Sequence, residues 1–150
     1  MAENHVATSV TIIEAPPERV WEVMTDPAAV KEFMFGTTLE TDWKVGSPIT
    51  WRGEWEGKAY QDKGRILAVE PGRKLVHTHF SPLSGQEDKP ENYHTLDWSL
   101  EDRDGATRLT LAQDNNPSEE AAMHSKGMWD MLLADVKALA ERTPRPAPPN

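Results

Sequence analysis

The sequence predicts an α+β fold in which a curved antiparallel sheet wraps around one long C-terminal helix, with two short helices following the first strand. Three observations predict it. A β-branched stretch from Val6 to Ile13 is cut off by Pro16 and Pro17. Period-2 segments punctuated by Gly, Pro and Asp then run from Ile49 to Gln113. The chain closes on a helical pattern from Glu119 to Arg142.

Each element follows from local chemistry. Pro16 and Pro17 stop the first strand and start a helix at positions where a missing N–H costs little. Val20, Val23 and Met24 recur at helical spacing between Glu18, Arg19 and Glu22, which makes this helix short and amphipathic. Asp26 and Pro27 repeat the device as cap and first residue of a second short helix reaching Phe33, ended at Gly36. In the strand region, Ile49, Trp51, Gly53 and Trp55 share one face, and Glu56-Gly57 supplies a two-residue hairpin turn.

That turn sets Trp55 opposite Lys58, Gly53 opposite Tyr60 and Trp51 opposite Asp62, so Tyr60, Asp62, Gly64 and Ile66 join the tryptophan face. Pro71-Gly72 turns the chain into a strand from Lys74 to Phe80. A polar surface loop covers 81–92, and two strands, Tyr93 to Glu101 and Thr107 to Gln113, follow across a turn at Asp102 to Gly105. On the last helix Met128, Met131, Leu132, Val136 and Leu139 form the expected apolar stripe. Residues 1–142 are read as a single domain and the Pro-rich tail 143–150, TPRPAPPN, as disordered.

Composition narrows the function. At 150 residues, 37% hydrophobic and 27% charged, the chain has a globular balance, and no apolar run approaches the ~20 residues that span a bilayer. A formal charge of -9 and scattered Lys and Arg disfavour nucleic acid. The N-terminus carries no secretion signal and there are no cysteines, which fits a cytoplasmic location and removes disulfides, thiolate ligands and a cysteine nucleophile.

The segments EAPPERVWEVMTDPAAVKEF, RILAVEPGRKLVHTHF and KGMWDMLLADVKALAER resemble, in order, the N-terminal signature, central strands and terminal helix of the START-like, Activator of Hsp90 ATPase homologue 1-like family. The resemblance covers about residues 6 to 142. It implies the helix-grip (START/Bet v 1-like) fold and a hydrophobic cavity between sheet and long helix. It fixes no reaction, because the family shares no set of catalytic residues.

Candidate chemistry lies on two faces. Leu75, His77 and His79 share one strand face, and His94, Leu96 and Trp98 share a face of the next strand. If His79 pairs with His94, all three histidines gather at one end of the cavity. They would then hydrogen-bond an anionic or carbonyl-bearing ligand or bind a divalent metal; the alternative is a structural or solvent-exposed sheet end. Trp51, Trp55, Tyr60, Trp98 and Trp129 form either an aromatic cage or plain core, and Met128 and Met131 either soften the cavity wall or fill the core. Gly127 either widens a pocket mouth or permits close packing.

No nucleophile elbow, phosphate loop or zinc-helix motif is present, and neither metal nor other cofactor is expected. The reading that results is a non-catalytic binding protein for a small hydrophobic or aromatic molecule. The alternatives are a cyclase- or hydratase-like enzyme with His77, His79 or His94 as base, and a chaperone-linked interaction module implied by the family. A homodimer is compatible with each.

Overall fold

The computed structural model describes residues 5–34, 36–82 and 85–142, with Trp55 described in its backbone alone. The expected tail 143–150 lies outside the described residues. Strand β1 (His5–Ile13) leads into helices α1 (Pro17–Thr25) and α2 (Pro27–Phe33), both with Pro at the first turn. The Asp26 carboxylate accepts from Ala28 N at 3.2 Å, capping α2 as its sequence position predicts. Six strands follow: β2 (Thr38–Glu40), β3 (Pro48–Trp55), β4 (Lys58–Glu70), β5 (Lys74–His79), β6 (His94–Arg103) and β7 (Ala106–Asn116). Helix α3 (Glu119–Glu141) completes the fold.

The seven strands form one antiparallel sheet in the order β1-β7-β6-β5-β4-β3-β2. A meander from β2 to β7 therefore has β1 added at its far edge. The short β2, paired through Leu39 opposite Trp51, has no period-2 pattern long enough to announce it in the sequence. Glu56-Gly57 and Asp104-Gly105 both take positive φ at both residues, the backbone that makes two-residue hairpins match strand twist. The β3–β4 register is as predicted, with Trp51 opposite Asp62, Gly53 opposite Tyr60 and Trp55 opposite Lys58, and the pairing of His79 with His94, left as a condition by the sequence, is present.

The 81–92 loop is tethered at Asp88, which contacts Lys63 and accepts from the Tyr93 hydroxyl at 2.6 Å. One glycine permits a close approach within the sheet. A Cβ on Gly64 would lie 1.8 Å from the Thr78 carbonyl oxygen, so β4 and β5 approach there more closely than any side chain allows. Next to it the ladder is irregular: Arg65 N donates to the Thr78 hydroxyl at 2.9 Å, and the register shifts between Ile66 and Ala68.

Helix α3 departs from the predicted stripe. Its buried residues are Ala122, then Leu133, Val136, Leu139 and Ala140; Met128 and Met131 are 54% and 65% exposed. The core-facing line runs through 133, 136 and 140, spacings of three and four, which rotates the two methionines to the helix edge. From Met123 to Leu132 no side chain is fully buried, although Trp129 and Leu132 pack against the core; this half of the helix lies beside β1 and leaves β3 to β6 uncovered. Gly127 permits no close packing either, since a Cβ there would meet nothing within 4 Å.

These two glycines separate the effects. Gly64→Ala is expected to lower stability by at least about 2 kcal/mol in urea denaturation, because backbone must move. Gly127→Ala is expected to raise it by about 1 kcal/mol through helix propensity. Equal responses at the two positions would refute the close-approach account of β4 and β5.

Candidate functional site

Where α3 leaves the sheet uncovered, a cavity of about 420 Å3 opens between it, α2 and the concave face of β3 to β6. Its walls are apolar: Phe33 and Met34 from α2, Trp51 from β3, Leu96 and Trp98 from β6, and Met128, Trp129, Met131 and Leu132 from α3. Its polar groups are few. They are Thr37, Tyr60, Asp62, His77 and His79. The Thr37 and Tyr60 hydroxyls share a hydrogen bond at 2.6 Å, and the Tyr60 ring lies over Gly53, where a Cβ would meet its hydroxyl at 2.7 Å.

His77 is only 4% exposed and its tautomer follows from its partners. The Trp98 indole N–H can only donate, and it reaches His77 Nε2 at 3.1 Å, so that nitrogen carries the lone pair. The proton sits on Nδ1 and is donated to the Thr78 carbonyl at 3.0 Å. Burial, with the neighbouring His79 adding to it, pushes the imidazole pKa down to about 4 despite the Thr78 hydrogen bond, so His77 is neutral near pH 7. It acts as an acceptor that holds Trp98 against the cavity.

His79, two residues further along β5, is half-buried and donates through Nε2 to the Asp62 carboxylate at 2.9 Å. Trp51 packs against both imidazoles, with ring centroids 5.2 Å from His77 and 5.0 Å from His79. Asp62 Oδ1 and His79 Nδ1 are, among the described residues, the buried side-chain atoms without a hydrogen-bond partner. Leaving such atoms unsatisfied costs about 1–3 kcal/mol each, so this pair is poorly explained as a stabilising device.

The predicted site residues fall into three groups. Trp51, Tyr60, His77, His79, Trp98, Met128 and Trp129 line the cavity. His94 does not: although paired with His79 across β5 and β6, it borders a smaller adjoining pocket, and its Nδ1 donates to the Asp114 carbonyl at 2.9 Å. The expected gathering of all three histidines is therefore corrected; pairing sets backbone register, while each ring turns to its own partner. Trp55 keeps its backbone place, and its side chain lies outside the described residues.

Sequence reasoning did not select Phe33, Met34 and Thr37, which reach the cavity from the end of α2 and the segment after it. Asp62 was legible, since the hairpin register already put it on the tryptophan face. Among the described residues, no three His, Asp or Glu side chains are placed to hold a metal ion, and no helix is long and apolar enough to cross a membrane.

The model of the family described as Activator of Hsp90 ATPase homolog 1-like protein matches residues 14–141. The chain belongs to this family. Members of the Activator of Hsp90 ATPase homolog 1-like family are small ligand-binding or interaction modules, and the curved sheet around α3 is the helix-grip fold.

A protein of Cytophaga hutchinsonii, known from its solution structure, is 45% identical with a TM-score of 0.81, over 91% of this chain and 94% of that one. A Mesorhizobium loti protein, known from its crystal structure, is 22% identical with a TM-score of 0.74, over 93% and 98%. The solution structure of the Aha1 dimer from Colwellia psychrerythraea matches at 17% identity and a TM-score of 0.71, over 92% and 97%. No curated protein matches the chain.

The depressed pKa of His77 makes stability depend on pH. The unfolded imidazole takes up its proton near 6.5 and the folded one only near 4, so the contribution is complete above about pH 6.5 and is lost as pH falls towards 4. The expected slope is about 1.4 kcal/mol per pH unit inside that window. His77→Gln keeps an acceptor for the Trp98 indole and cannot titrate, so urea denaturation between pH 6.5 and 5 should show a flatter profile than the wild type. An unchanged slope would refute the assignment.

Proposed function

We propose that this family member is a non-catalytic binding protein for one small apolar or aromatic molecule held between α3 and the sheet. The observation that carries the reading is the cavity itself: about 420 Å3, walled by aromatic, methionine and leucine side chains, with polar groups confined to a few positions. Ligand sites have this size and this balance of many apolar contacts to few convergent polar ones. Trp51 and Trp98 offer rigid aromatic surfaces, held by the two imidazoles in one case and by the hydrogen bond to His77 in the other. Met128 and Met131 offer an adaptable wall on the helix side.

Titration with bicyclic aromatic probes such as methylnaphthalene, followed by tryptophan fluorescence and thermal shift, tests the proposal. Saturable one-to-one binding with a raised melting temperature is expected. Leu132→Trp, which places an indole in the cavity from a half-buried helix position, should weaken it by about tenfold or more while leaving the unliganded melting temperature within a few degrees. Absence of saturable binding by any such probe would rule the reading out.

A further inference from the structure

The large cavity has a neighbour. A second chamber of about 150 Å3 lies between the start of β6, the end of β7 and α3. The two share His79, Met128 and Trp129 as lining residues, so these side chains form the wall between them. The shared wall also contains half of the buried pair left unsatisfied, His79 Nδ1. Met128 is unbranched and exposed along much of its length, the cheapest kind of partition to move.

The chemistry of the second chamber differs from that of the first, and two of its groups can be assigned. A backbone carbonyl only accepts, so the His94 Nδ1 that faces the Asp114 carbonyl carries a proton, and in the neutral imidazole the lone pair is on Nε2. The Trp129 indole N–H only donates, so the Gln113 side-chain atom it reaches at 3.1 Å is Oε1, and the two amide protons belong to the other limb. One imidazole acceptor and one amide donor thus border the same small space, with Asn92 and Ser125 beside them. Among the described residues, no Lys or Arg lines either chamber. A carboxylate head would therefore find no fixed positive charge there, in a chain of net charge -9.

Resting on the cavity reading of the preceding subsection, we infer that the two chambers form one bipartite site for a neutral amphipathic molecule. Its flat or alkyl body occupies the large chamber. Its head, a carboxamide or a group with the same adjacent acceptor and donor, reaches past Met128 into the small one. There the head's carbonyl accepts from the Gln113 amide, and its N–H donates to His94 Nε2.

Three probes that share one body test this: naphthalene carrying a carboxamide, a carboxylate or a methyl group at the same ring position, each titrated by fluorescence and calorimetry. The carboxamide is expected to bind about tenfold tighter than the methyl compound, the sum of two net hydrogen bonds, and the carboxylate more weakly than the carboxamide. In His94→Phe the advantage of the carboxamide should fall to about twofold, with the methyl compound's affinity unchanged; that affinity also reports an intact fold. Gln113→Met provides the same comparison from the donor side.

Equal affinity for the three heads, a tighter carboxylate, or a carboxamide advantage that survives in both variants would overturn the inference while leaving the cavity reading in place. Binding of none of the three would remove both.

Discussion

The structure depends on how α3 is fastened at its C-terminal end. Leu133, Val136, Leu139 and Ala140 bury their side chains against the sheet and the short helices, each larger one contributing about 1.5–3 kcal/mol. Arg19 of α1 donates to the carbonyls of Leu139 and Ala140 at 3.0 and 3.3 Å, satisfying acceptors that a helix end leaves open. Lys137 donates to the Ile12 carbonyl at 2.7 Å, and Glu14 N donates to the Glu141 carboxylate at 2.8 Å, so the corner between β1 and α1 is tied to the same helix end. With this end held firmly against the core, the first half of the helix can lie along β1 and leave β3 to β6 uncovered.

That uncovered face is the origin of the cavity. Between Ala122 and Leu133 the helix contributes no fully buried residue; Trp129 and Leu132 pack partly against the core, and the polar contacts are Ser9 to Asp130, Ser125 to Asn116 and Trp129 to Gln113. Hydrogen bonds of this kind fix the height and rotation of the helix without filling the space beneath it. Gly64 lets β4 and β5 approach closely beside Thr78, between the two histidines of β5 that line the cavity.

The two neighbouring histidines of β5 show how burial assigns different roles to one residue type. His77 is committed on both nitrogens, to Trp98 and to Thr78, and is a neutral structural acceptor. His79 is committed on one nitrogen only, to Asp62, and that pair keeps two buried atoms without partners. Packed cores do not usually retain such a deficit. Asp62 and His79 both line the large cavity, and His79 borders the small chamber as well.

By itself the sequence determined the helices, every strand except β2, and the register of the β3–β4 hairpin. Pro17 and Pro27 start helices because a fixed φ and a missing N–H are harmless there, and Glu56-Gly57 pins β3 to β4 because few dipeptides adopt positive φ twice; both are local effects. The alternation along β3, β5 and β6 then placed Trp51, His77, His79 and Trp98 on one concave face correctly. Only the tertiary structure decided which face of α3 is buried, that Phe33, Met34 and Thr37 close the cavity, and that His94 serves a separate chamber. These depend on the rotation of a helix about its axis and on side-chain torsions chosen by partners far away in the chain, neither of which leaves a period in the sequence.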